Sequence, residues 1–179
     1  MEASRMPVVR SEGVVRVQNT LAALEQFDQT GRKRELQQVY FELPESDFNE
    51  YLAYSLHTVP RPGVEAAGIK LHAQNHVSVN VLVNFDRIAD WAPIIPSLLH
   101  LSGKQVIGLN FVFAVQDAAV TFQVAEPAGK EPMMGRALQT LLHLLALHQP
   151  ERYDTSKPIP LPYGLRRLST TNGMLVGST

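Results

Sequence analysis

Hydrophobic positions along this chain change period several times, and each change marks an element. From Val14 to Gly31 the apolar residues Val14, Val17, Leu21, Leu24 and Phe27 recur among polar neighbours. That is helical spacing, and Gly31 is a natural stop. In "LQQVYFEL" the period becomes two. Val39, Phe41 and Leu43 take one side and Gln38, Tyr40 and Glu42 the other, which predicts a strand with one buried face.

The stretch "LPESDFNEYLAYSL" follows at once. Pro44 stands where a first-turn proline is tolerated, because its missing N–H would be unpaired there. Glu45 and Asp47 fall in the first turn, where negative charge complements the helix dipole, and Ser46 or Asp47 can cap a free N–H. Phe48, Tyr51, Leu52, Ser55 and Leu56 share one face, and "VPRPG" ends the helix. Two readings of the acids stand here: decoration of a helix start, or a catalytic or metal-binding carboxylate cluster.

From Gly68 to Phe85 the period is two again. Ile69 and Leu71 on one run match Val77, Val79, Val81, Val83 and Phe85 on the next if the loop is Ala73, Gln74 and Asn75, with Asn75 left-handed. Asp86 is placed to cap a short helix at "DRIADW", and a further short helix is expected from Pro96 to Ser102. A second hairpin has Ile107, Leu109, Phe111, Phe113 and Val115 facing Val120, Phe122 and Val124. A two-residue loop at Gln116 and Asp117 pairs Phe111 with Phe122.

Met133 to His148 is the strongest helix. Met134, Ala137, Leu138, Leu141, Leu142, Leu144, Leu145 and Leu147 cover far more than the usual apolar third, so this helix expects cover on more than one side. The C-terminal part gives a proline-marked extended entry and two short strands around the turn Asn172–Gly173. The order of helices and hairpins has no regular strand–helix alternation. It predicts an α+β fold with an antiparallel sheet and helices on one face.

Length and composition narrow the picture. At 179 residues the chain suits one domain, here 14–179 behind a leader at 1–13 expected to be flexible. A core of that size needs no staple. Apolar residues make up 45% and charged ones 18%, and the net charge is −1, which favours no nucleic acid and no acidic surface as partner. No apolar run reaches the ~18 residues that span a bilayer. The absence of cysteine removes disulfides, thiolate zinc sites and a cysteine nucleophile, but does not decide the compartment.

Candidate chemistry is sparse. "GVEAAGIK", Gly63 to Lys70, fails as a phosphate loop because the second glycine and the lysine are not adjacent and no Ser or Thr follows. His72 and His76 face each other across the first hairpin. They could hold a metal, but no third ligand is supplied locally, so a solvated pair is the simpler expectation and no metal or cofactor is assigned. His143 and His148 do not share a helix face, and Arg166–Arg167 is too small a basic cluster for nucleic acid. No nucleophile–base set is visible, so no enzyme is expected. Asp47, Asn49, Asp86 and His72 are the residues to mutate first if there is one. The unusual quantity is hydrophobic surface. A face with Phe111, Phe113 and Phe122 either closes over the Leu-rich helix or leaves an apolar groove for a lipid-like ligand.

"LPESDFNEYLAYSL", the "VNFDRI" that ends the valine-rich strand at Val83 to Ile88, and "PLPYGLRRLSTTNGMLV" resemble, in this order, segments of small bacterial proteins related to the TULIP (tubular lipid-binding) group. The resemblance covers most of Leu36 to Val176. Pro44 departs from it, standing where a capping Thr is common. The resemblance implies a strongly curved antiparallel sheet wrapped around a long apolar helix, with an interior that holds lipid, and an exported, periplasmic or secreted protein with its leader trimmed. A cytoplasmic location fits the composition equally. The expected ligand-binding residues are Met134, Leu138, Leu141, Leu142 and Leu145 on the helix and Phe111, Phe113 and Phe122 on the sheet. The rival expectation is a protein-interaction module with a closed core, a homodimer being one form of it.

Overall fold

The computed structural model describes residues 10–30, 38–88, 102–124 and 157–179. Helix α1 runs Glu12–Thr30. Strand β1, Tyr40–Pro44, leads directly into helix α2, Glu45–Thr58. Strands β2, Val64–Leu71, and β3, His76–Asn84, precede a single helical turn α3, Phe85–Ile88. Then come β4, Lys104–Gln116, β5, Ala119–Val124, and the two-residue β6, Ile159–Pro160. A 3-10 turn at Pro162–Gly164 leads to β7, Arg167–Thr171, and β8, Met174–Ser178. The predicted helices Pro96–Ser102 and Met133–His148 lie outside the described residues, apart from Ser102.

The chain is α+β, and its paired strands are antiparallel. They form two sheets rather than one: β1-β8-β7 and β2-β3-β4-β5-β6. In β1, Phe41 and Leu43 are buried while Tyr40 and Glu42 are exposed, the alternation the sequence predicts. The β7–β8 hairpin turns at Asn172–Gly173, with Gly173 at φ 78°. No neighbour crowds Gly173, so the glycine serves the backbone conformation alone. Gly177 serves a close approach instead. It pairs with Phe41, whose ring occupies the space a Cβ would need.

The first hairpin has the expected register. Leu71 pairs with Val77 and Ile69 with Val79, around the loop Ala73–Gln74–Asn75. Gln74 and Asn75 both take positive φ, 59° and 61°. The second hairpin does not keep the predicted pairing. Its loop is Asp117–Ala118, both residues left-handed, so Phe113 pairs with Phe122 and Phe111 with Val124. The shift of two residues keeps Phe111 and Phe122 on one face, as diagonal neighbours with rings 5.6 Å apart in an edge arrangement. The physical reason lies in the turn. The two-residue loop seen here is the kind with left-handed residues at both central positions, which matches strand twist, and hydrophobic matching alone cannot choose between registers two apart.

Two core regions meet between the sheets. One gathers Val17 and Leu24 of α1 with Phe41, Leu43 and Leu165. The other gathers Leu71, Val77, Phe113 and Val120. Phe48, Leu161, Leu168 and Leu175 pack against both and make the core continuous. Each fully buried side chain of this kind contributes about 1.5–3 kcal/mol through area removed from water. Leu21, expected in the buried stripe of α1, is 36% exposed. Among the described residues no helix is long and apolar enough to cross a membrane.

Candidate functional site

Glu45 to Glu50 places three carboxylates and an amide within six residues of one helix. Helical phase sends them to different neighbours. Glu45 and Asn49, four apart, face the open edge of β2. Glu45 Oε2 accepts the Leu71 N–H at 2.7 Å. Asn49 Oδ1 accepts the Ile69 N–H at 2.7 Å, and Asn49 Nδ2 donates to the Ile69 carbonyl at 3.0 Å. The amide thus stands in for one residue of a neighbouring strand, and the unpaired edge is satisfied by side chains. The β7–β8 turn completes this edge: Gly173 N donates to Leu71 O, and Glu45 N donates to Gly173 O, each at 2.9 Å.

Asp47 and Glu50, three apart, face α1. Arg16 donates to Asp47 through Nε and Nη2, both at 2.7 Å. Glu50 Oε2 accepts from the Ser11 hydroxyl at 2.5 Å and from Gly13 N at 3.1 Å. Gly13 permits this contact, because a Cβ there would overlap Glu50 Oε2 and press on Asp47. Asp47 is 0% exposed and is the one buried residue of α2. The hydrogen bonds from Arg16 hold its carboxyl below the usual carboxylate range, against the opposing effect of desolvation. Asp47 in turn raises the guanidinium.

Glu45 and Asp47 stand in the first turn of α2, as the helix-start reading expects, but the expected side-chain cap does not form. Pro44 occupies the N-cap in an extended conformation, and no side chain caps the helix. The acids fasten α2 to α1 and to β2 instead. This requires partners 20 to 39 residues away in the chain, beyond the reach of local pattern. Asp86 also departs from its expected role: its Oδ1 accepts the Gly103 N–H at 3.0 Å and closes the loop between β3 and β4. Among the described residues no group of three or more His, Asp or Glu is placed to hold a metal ion.

His72 and His76 do occupy opposite positions on the hairpin, His72 N donating to His76 O at 2.9 Å. His72 is half-buried, and its Nε2 lies 2.9 Å from Ser78 Oγ, a contact the sequence reading did not anticipate. His76 is exposed.

The apolar face of the five-stranded sheet is buried unevenly. Leu71, Val77, Phe113 and Val120 are buried at one end, and Val83 at the other, with Phe85 of α3 buried just beyond it. Between them Ile69, Val79, Val81, Ile107, Leu109 and Phe111 are only half-buried. Phe122 is 40% exposed. Of the expected sheet residues, Phe113 therefore belongs to the packed core, Phe111 is half-buried and packs against that core, and the more exposed Phe122 touches Phe111. Met134, Leu138, Leu141, Leu142 and Leu145 lie outside the described residues.

No protein-family model, curated protein or solved structure matches this chain.

Proposed function

We propose that this is a non-enzymatic, exported protein that holds a lipid or other apolar ligand against the inner face of its five-stranded sheet. One observation carries the reading: Val79, Val81, Leu109 and Phe111 in the middle of this face are only half-buried, while Leu71, Val77 and Phe113 on one side of them and Val83 on the other are buried. A closed core has its lowest exposure in the middle of a face. Here the middle is the more open part, which suits an apolar occupant with few polar contacts.

The resemblance to the TULIP group supports the same reading and supplies its second wall. In that arrangement the sheet curves around the Met133–His148 helix, and Met134, Leu138, Leu141, Leu142 and Leu145 face the ligand from the helix side. Met134, flexible and polarizable, adapts to acyl chains of different shape. Export to the periplasm or beyond belongs to this reading. No catalytic residue is assigned.

The test is uptake of a fluorescent fatty acid, with native mass spectrometry of freshly purified protein. The wild type takes up the probe or carries co-purified lipid. Leu109→Trp, on the open band, blocks uptake and leaves the thermal midpoint near its original value. Phe113→Trp, in the packed region, overpacks the core and lowers stability by ~1–3 kcal/mol. A wild type that takes up no probe and runs as a lipid-free dimer sinks this proposal and leaves an interaction module in its place.

A further inference from the structure

The opposite face of the same sheet carries a separate constellation. In the register of β2, β3 and β4, Lys70 lies directly opposite Ser78, and Ser78 directly opposite Asn110. Side chains at such positions leave the same face, with Cβ atoms about 5 Å apart. One row further along, about 7 Å away, stand His72 and His76. His72 Nε2 is 2.9 Å from Ser78 Oγ, which ties the two rows together.

We propose that Lys70, Ser78 and Asn110, with His72 and His76 beside them, form a binding site for a phosphate group. The chemistry of the set points that way. Lys70 brings an ammonium with three donors, Asn110 an NH₂ and Ser78 a hydroxyl. When the His72 ring donates from Nε2, Ser78 accepts and its own O–H is left to donate outward. His76 adds a ring N–H. Among the described residues, no ion pair engages Lys70 and no hydrogen bond engages the side chains of His76 or Asn110.

Nearby acids do not cancel this field. Glu45 sits at the sheet edge beside Leu71, with one oxygen engaged by the Leu71 N–H. Glu65, at the far end of the sheet, is paired with Lys104 at 2.7 Å and receives a bond from Asn84. A set of donors on one sheet face with a net positive charge recognises a compact, multiply charged oxyanion better than a neutral amide or sugar. The ligand here is on the face away from the apolar band, so this inference stands independently of the lipid proposal.

The phosphate can be free in solution or part of a lipid headgroup, and two arms separate the sources. In the first, the isotope-labelled full-length protein is titrated with inorganic phosphate at constant ionic strength and followed by NMR. In the second, it is mixed with phosphatidic acid vesicles and with neutral phosphatidylcholine vesicles in a flotation assay. The expected result is saturable shifts confined to Lys70, His72, His76, Ser78 and Asn110, or selective flotation with phosphatidic acid. Lys70→Gln weakens either response by about tenfold or more, the scale of one charge-assisted contact. Lys104→Gln, on the same face but at its far end, leaves the response unchanged. Saturation by inorganic phosphate assigns a free phosphate, and flotation without it assigns a headgroup. Negative results in both arms, equal loss in Lys70→Gln and Lys104→Gln, or shifts matched by chloride overturn the site.

Discussion

Arg16 and Asp47 form a two-pronged ion pair in which the carboxylate is fully buried and the guanidinium half-exposed. The pair joins α1 to α2 across 31 residues of chain. A buried carboxylate is stabilising only while it keeps its partner. Asp47→Asn keeps the shape but removes the charge and one acceptor. It should lower unfolding free energy by about 1–3 kcal/mol, above the scale of a helix cap alone, because hydrogen bonds to charged groups are the stronger kind. Urea denaturation of the two proteins measures the difference.

The same pair sets a pH dependence. Asp47 has a folded-state pKa below its unfolded value. Its contribution is therefore fully present above the unfolded pKa, about 4, and is lost as pH falls from there through the folded pKa. Urea midpoints measured from pH 6 down to pH 3 should fall less steeply at the acid end for Asp47→Asn than for the wild type. Parallel curves would show that the carboxylate gains nothing from Arg16.

Asn49 seals the edge of β2. Asn49→Ala leaves the N–H and C=O of Ile69 without their partner and should cost about 1–3 kcal/mol. Hydrogen exchange at the Ile69 amide should quicken in the same variant. Asn49→Asp keeps an acceptor for that N–H but has no donor for the carbonyl, so a smaller loss is expected.

Phe41 covers Gly177 across the β1–β8 pair, leaving no room for a methyl group. Gly177→Ala should force the ring aside and destabilise the protein by about 1–3 kcal/mol, the usual range for overpacking. Gly173→Ala, where nothing crowds the site, should cost about 1–2 kcal/mol for the left-handed backbone alone. Double-mutant analysis with Phe41→Leu separates the two causes: the smaller side chain should relieve Gly177→Ala and leave Gly173→Ala unchanged.

Ala118 holds φ 58° in the β4–β5 turn, a conformation that favours glycine. Ala118→Gly should raise stability by about 1 kcal/mol, since the left-handed penalty for a Cβ of about 1–2 kcal/mol exceeds the entropy that glycine adds to the unfolded chain. A rise in thermal midpoint checks it. A fall would place the native turn elsewhere than Asp117–Ala118.

Much of the local architecture is legible in the sequence because it is written in periods. Phe41 and Leu43 alternate with Tyr40 and Glu42, and Ile69–Leu71 matches Val77–Val79 through one three-residue loop, so one register satisfies both pattern and turn. The Asn172–Gly173 turn is legible for the same reason. The β4–β5 hairpin is not, because Asp117–Ala118 lacks the glycine that would have marked its left-handed residues.

The role of "ESDFNE" shows where sequence reasoning stops. Its spacing determined a helix and placed Glu45 and Asn49 on one side and Asp47 and Glu50 on another. Tertiary structure alone decided what stood there: an open strand edge at Ile69–Leu71 for the first pair, and Arg16, Ser11 and Gly13 of α1 for the second. The same division holds for His72, whose position on the polar face follows from period two, while its bond to Ser78 follows from the diagonal geometry of paired strands. Periodicity is a local property of the chain and fixes which way a side chain leaves its element. The partner it meets depends on how elements pack, and a buried charge or amide is stable only where that packing brings the complementary group within hydrogen-bonding distance.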